Sequence, residues 1–235
     1  MLSRKLKKSK KVKEATTSQS TPGRLDQIVA TIQQQQRRLY ILGALVIMFI
    51  AGSAYQQTRQ HQQNDVAQSE LFQAVYYFEE GVFDKALQGD GACAGFLDII
   101  IEFRGSQAAN IAHFYAGVSY LHQKEDAQAI THLRQFRSSD AMLRARAWSL
   151  LGDAYVAQQA YDQAAQYYMK AANHKPNKAF TPNYLAQAAL AHEANQEPQQ
   201  AIACYQRIID RFPGVEQCRE AKKHVARLKA MDARS

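Results

Sequence analysis

The chain has 235 residues, with 29 Lys and Arg against 21 Asp and Glu and a net charge of +8. Its 11 Gly and 5 Pro are too few for a sandwich or barrel, and its 3 Cys cannot form a disulfide scaffold. Residues 1–38 hold ten basic side chains opposed only by Glu14 and Asp26, whereas residues 39–235 carry nineteen of each sign. A neutral body lacks the basic surface that phosphate neutralisation needs, which argues against nucleic acid as a partner.

Residues 1–20 are rich in Lys, Ser and Thr and are expected to form a disordered basic tail. Thr21-Pro22 reads as a helix start, and Leu25, Ile28, Val29 and Ile32 fall on one helical face. Residues 21–38 are therefore expected as an amphipathic juxtamembrane helix. The run LYILGALVIMFIAGSAY, residues 39–55, then carries no charge. As a helix it spans about 25 Å, the short end of what a bilayer requires. Arg38 and Arg59 flank it, and Tyr40 and Tyr55 stand where interfacial aromatics belong.

This run reads as an uncleaved transmembrane helix in contact with lipid. A buried core helix is one alternative. A cleaved signal peptide ending at Gly52-Ser53-Ala54 is another, although the 38-residue leader is long for that role. The basic side of a membrane helix stays in the cytoplasm. The expectation is thus a single-pass protein of the bacterial inner membrane, its N-terminus cytoplasmic and the rest periplasmic. Residues 56–68 are a polar, Gln-rich stalk.

From residue 69 to 213 the sequence repeats. Trp148, Leu151, Gly152, Tyr155, Ala164, Tyr168, Ala171 and Pro176 match W-x2-L-G-x2-Y followed by Ala, aromatic, Ala and Pro, the tetratricopeptide pattern. Ala116, Gly117, Tyr120, Ala129, Leu133 and Phe136 keep this frame upstream, and Ala188, Ala189, Ala201, Tyr205, Ile208 and Pro213 keep it downstream. Phe180-Thr181-Pro182 looks like another cap followed by proline. A degenerate first repeat contains Leu71, Ala74, Val75, Phe78 and Gly81, with a glycine-rich insertion at 88–95. Residues 214–235 read as a capping helix, with Val225 and Leu228 turned inward. The fold class is all-α, a transmembrane helix followed by a helical-repeat solenoid.

No constellation of catalytic residues emerges. His192-Glu193 lacks the second histidine of HExxH, because Gln196 stands there. His122 and His132 lie on consecutive helices and are the one pair expected to approach, without enough ligands for a metal site. Gly89-Asp90-Gly91-Ala92-Cys93-Ala94 fits G-x-G-x-x-A, but no strand precedes it as a dinucleotide site requires. Cys204 and Cys218 either pair across adjacent helices or pack in the core. The expectation is a binding protein with no catalytic residue, cofactor or metal. In this repeat the first helix of each pair lines a groove. The groove residues are Phe114, Val118 and Leu121, then Ser149, Asp153 and Val156, then Asn183, Ala186 and Leu190. A mostly apolar groove suits a hydrophobic or helical peptide. Its alternative occupants are the Ser69–Phe78 helix and an oligomer partner.

The basic tail, single membrane helix and short repeat domain resemble the YfgM-like family of ancillary Sec translocon subunits. The wording is similar to its Bacteroidota-type tetratricopeptide members in GDG-x4-FLDII, here Gly89–Gly91 and Phe96–Ile100, and in GDAY, here Gly152–Tyr155. The resemblance implies a non-enzymatic scaffold or chaperone beside SecYEG and a membrane-anchored PpiD-like prolyl isomerase, acting on unfolded secretory proteins at the periplasmic exit. A periplasmic scaffold for envelope assembly or cell division shares the same architecture.

Overall fold

The computed structural model describes residues 44–50 and 65–232. The chain divides into two units, residues 1–57 and 58–235. Within the first unit, residues 44–50 are helical, and Leu45, Val46, Ile47, Met48, Phe49 and Ile50 all expose their side chains. Among the described residues no helix is long and apolar enough to cross a membrane. The expected tail at 1–20, helix at 21–38, both ends of the 39–55 run and most of the 56–68 stalk lie outside the described residues.

The described secondary structure of the second unit consists of helices joined by short turns and loops. Residues 65–79 form α1. There follow α2 (Phe83–Gln88), α3 (Phe96–Glu102), α4 (Gln107–His122), α5 (Asp126–Gln135), α6 (Ala141–Ala157) and α7 (Tyr161–Asn173). The series ends with α8 (Thr181–Ala194), α9 (Pro198–Arg211) and α10 (Glu216–Asp232). From α2 onward each helix packs on its sequence neighbour, as short connections dictate. The antiparallel pairs are α4 with α5, α6 with α7, and α8 with α9.

Close packing within a pair depends on the small residues of the repeat. A methyl group on Gly152 would come within 2.5–2.7 Å of the Tyr168 ring, and one on Gly117 within 2.5 Å of Leu133 Cγ. Glycine therefore lets the aromatic or aliphatic residue of the second helix sit against backbone. Ala189 is fully buried at the equivalent place in α8, in the same cluster as Tyr205. Apolar side chains from successive pairs merge into core patches along α1–α4, α4–α6 and α6–α10.

Helix starts follow local chemistry. Ser106 Oγ accepts from the Ala109 N–H at 2.9 Å, and Asp140 Oδ1 accepts from the Leu143 N–H at 2.7 Å. Thr181 differs from the expected cap. It is the first residue of α8, and its buried Oγ1 accepts from the Asn177 N–H at 2.8 Å. Asn177 Oδ1 in turn accepts from the N–H groups of Ala179 and Phe180, so the loop rather than Thr181 closes this helix end.

The glycine-rich stretch separates α2 from α3. Asp90 Oδ1 accepts from the N–H groups of Ala92 and Cys93 at 2.9 and 2.8 Å, while Oδ2 accepts from Tyr77 OH at 2.6 Å. Those three donors hold the Asp90 carboxyl down at a pKa of about 2, the Tyr77 hydroxyl contributing most. Gly89 has φ +76°, and a Cβ on either Gly89 or Gly95 would collide with the backbone of this loop. The two glycines let the ends of the loop between α2 and α3 come together, Gly89 against Gly95.

Candidate functional site

The first helices of successive pairs approach one another, α4 touching α6 and α8 touching α10, while the second helices make no comparable approach. The solenoid is therefore tighter on the side of α4, α6, α8 and α10, and this inner face is the candidate binding surface.

Its residues divide into three kinds. Phe114, Val118 and Leu121 on α4 are half-buried against Ile130, Leu133 and Leu150, and the Phe114 ring lies 5.1 Å from that of Phe136. Ser149 and Asp153 on α6 belong to a polar ladder. Ser149, fully buried, donates to Gln187 Oε1 at 3.2 Å, and Gln187 Nε2 donates to Asp153 Oδ1 at 3.3 Å. Tyr168 OH donates to the same Asp153 oxygen at 2.7 Å. Burial raises the Asp153 pKa, against the lowering effects of the Tyr168 hydrogen bond and the Arg146 charge. Asn183 on α8 accepts from Gln217 Nε2 at 2.7 Å, and Ala186 is half-buried against the core. Val156 and Leu190 remain, 38% and 52% exposed. The inner face is thus a hydrogen-bonded polar strip with free aliphatic side chains beside it.

Sequence reasoning missed the part that ties α8 to α10. Glu193 accepts from Tyr205 OH at 2.9 Å, pairs with His224 Nδ1 at 3.1 Å, and forms an ion pair with Arg227. Burial opposes the charge on Glu193, but the hydrogen bonds from Arg227 and Tyr205 and the charges of Arg227 and His224 prevail and lower its pKa. The signal was spacing. Glu193–Arg227 and Asn183–Gln217 are both 34 residues apart, one repeat length, so each pair joins equivalent levels of adjacent first helices.

The other candidates resolve differently. His122 does not meet His132; its ring stacks on Phe83 at 4.5 Å, and His132 instead meets His113, their Nδ1 atoms 3.1 Å apart. Antiparallel geometry explains the change. His122 ends α4 beside the turn, whereas His132 lies about two turns into α5 and faces a residue equally far back along α4. Among the described residues no group of three His, Cys, Asp or Glu is placed to hold a metal ion. Cys204 and Cys218 are both buried and free, Cys204 Sγ lying 3.6 Å from Met169 Sδ. Burial pushes the Cys204 thiol pKa up, away from the reactive thiolate.

Two tetratricopeptide-repeat models match the chain, one over residues 145–178 and the other over both 112–141 and 185–214. Neither describes a catalytic family. No curated protein matches. The crystal structure of MamA superposes with a TM-score of 0.49 at 16% identity, over 69% of this chain and 97% of its own. The nearly identical TPR-like repeats of a kinesin light chain candidate from Podosopora anserina superpose with a TM-score of 0.54 at 14% identity, over 71% of this chain and 87% of that one. At 14% identity this second likeness is one of fold. With repeats matched over residues 112–141, 145–178 and 185–214 and the stacked helical pairs described above, the described residues of the second unit form a tetratricopeptide-repeat solenoid, a scaffold for protein–protein interaction.

Proposed function

We propose that this chain is a membrane-tethered scaffold whose repeat body holds protein partners at the periplasmic exit of the Sec channel. The observation that carries the scaffold reading is the inner face, where Leu190 and Val156 stay exposed beside side chains already committed to one another. An apolar or helical segment laid there covers aliphatic surface without breaking the ladder. The tether reading is supported by the charge-free run 39–55, whose described part exposes six consecutive apolar residues, Leu45 to Ile50. Lipid is the solvent that suits such a surface. The ten cations ahead of it orient residues 56–235 to the periplasmic side of the bacterial inner membrane. SecYEG and a PpiD-like isomerase enter as partners through the resemblance in Gly89–Gly91, Phe96–Ile100 and Gly152–Tyr155.

Mild detergent extraction of the tagged protein, followed by mass spectrometry, tests this reading. Channel subunits and a periplasmic isomerase are expected at near-stoichiometric levels, and Leu190→Asp is expected to deplete the partner held on the inner face. Recovery of envelope-assembly or division proteins without the channel transfers the function to that class. Unchanged recovery with Leu190→Asp removes the inner face as the binding surface.

A further inference from the structure

A second surface lies outside the inner face. Between α5 and α7, over the outward side of α6, is a pocket of about 350 Å³ lined by Arg134, Arg137, Arg144, Trp148, Tyr167 and Lys170 among others. That volume is at the small end of the range for ligand pockets. Four of the lining side chains are cations and none is a carboxylate. In a body with as many acidic as basic groups this concentration of one sign is local, and none of the four cations forms an ion pair with a described residue.

Three of the four cations are held in place. Asn110 brackets the Arg137 backbone, donating to its carbonyl at 2.7 Å and accepting from its N–H at 2.8 Å. The Arg137 guanidinium donates through Nη1 to the carbonyls of Arg134 and Phe136 at 2.6 and 3.0 Å. Arg144 Nε donates to the Ser138 carbonyl at 2.6 Å. The Arg137 and Arg144 guanidinium groups are thus positioned by backbone oxygens while their remaining N–H groups stay uncommitted, and Arg134 adds a third, exposed cation beside them. Lys170 Nζ sits 4.6 Å from the centre of the Trp148 ring, so its charge rests on an aromatic face. Fixed guanidinium forks suit carboxylates, because both oxygens can be bound without first ordering the side chain.

We propose that this pocket binds an acidic peptide segment in which Asp or Glu carboxylates flank an aromatic or aliphatic side chain. The carboxylates meet Arg134, Arg137 and Arg144, and the apolar group lies against Trp148 and Tyr167. A phosphate alone would satisfy the charge and leave that aromatic wall wet, which is why a peptide is the better match. The site is independent of which partner the inner face holds.

Trp148 is the only tryptophan in the chain, so its fluorescence reports on this pocket. The full-length protein in neutral phosphatidylcholine nanodiscs is titrated with an acetylated Glu-Glu-Phe-Glu-Glu peptide and with its Gln-for-Glu counterpart. The acidic peptide is expected to shift Trp148 emission and to bind at least tenfold more tightly, weakening as salt is raised. Arg134→Glu, whose side chain has no internal ion pair, is expected to lower the affinity at least tenfold with unchanged far-UV circular dichroism. Lys170→Gln, read by calorimetry, is expected to weaken binding as well. Equal binding of the two peptides, or no effect of either variant, overturns the proposal. The peptide assignment also falls if inorganic phosphate displaces the peptide at equal concentration, or if phosphatidylglycerol nanodiscs reproduce the emission shift without peptide.

Discussion

His113 and His132 show how one side chain's setting becomes a property of the fold. Burial lowers both pKa values from the usual 6.5, that of His132 to about 4 with the neighbouring His113 charge adding to the effect. Their facing Nδ1 atoms share one proton, so the pair is built for the neutral state. A base with a depressed folded pKa binds fewer protons folded than unfolded. Stability is therefore full above about pH 6.5 and is lost as pH falls toward 4. Urea denaturation at pH 7, 6 and 5 is expected to show this loss, and His132→Asn to flatten it. The same slope in the variant would assign the effect to other groups. The carboxylates with lowered pKa, Asp90, Glu193 and Glu220, contribute their own loss at lower pH.

Four turns between the first and second helices of a pair share one geometry. Gly81, Lys124, Gln159 and Gln196 all have left-handed φ, between 59° and 75°. The next N–H reaches back to the carbonyl of Tyr77, Tyr120, Tyr155 and His192 respectively, at 2.8–2.9 Å. This is a Schellman closure, which favours glycine because a Cβ crowds the carbonyl in that conformation. Only the first turn has one. Gln196→Gly is expected to stabilise the protein by about 0.5–1 kcal/mol, read from the urea midpoint at constant m-value. A destabilised variant would mean that the entropy gained by the unfolded chain outweighs the relieved strain.

The turns also show the limit of legibility at this scale. Gly81 announced itself as a turn, but Lys124, Gln159 and Gln196 carry no turn signal of their own and had to be placed by repeat register. Thr181-Pro182 looked like a cap and start, yet the hydroxyl turned to Asn177 because the preceding loop folds over the helix end. A dipeptide signal reports what a backbone can do locally. Which hydrogen bond forms depends on what else comes within reach.

For the whole molecule, the solenoid depends on neighbours, since no helical pair covers its own apolar face. α10 ends the stack by burying Cys218, Ala221, Val225 and Leu228 against the last pair, with Glu193, His224 and Arg227 joining it to α8. Removing residues 214–235 is expected to cost about 3–6 kcal/mol from the two larger aliphatic side chains alone, at about 1.5–3 kcal/mol for each. Chemical denaturation and dye binding to the uncovered α9 surface measure it. A truncated chain as stable as the full one would show that α10 only rests on the repeats.

The sequence by itself determined the helical class, the register of the repeats and the concentration of charge ahead of residue 39. Each is written in residues close together in the chain, or in a period that recurs along it. Gly152 against Tyr168 was legible because the repeat fixes which small residue faces which large one. The tertiary structure alone decided the partners of polar groups. His132 met His113 rather than His122, and Glu193 took up Arg227 and His224 from α10. It also gathered Arg134, Arg137, Arg144 and Lys170 from three neighbouring segments into one pocket. Apolar burial follows periodicity, which composition and spacing reveal. Hydrogen bonds and charge clusters depend on axial offsets of a few ångströms between helices, which only packing sets.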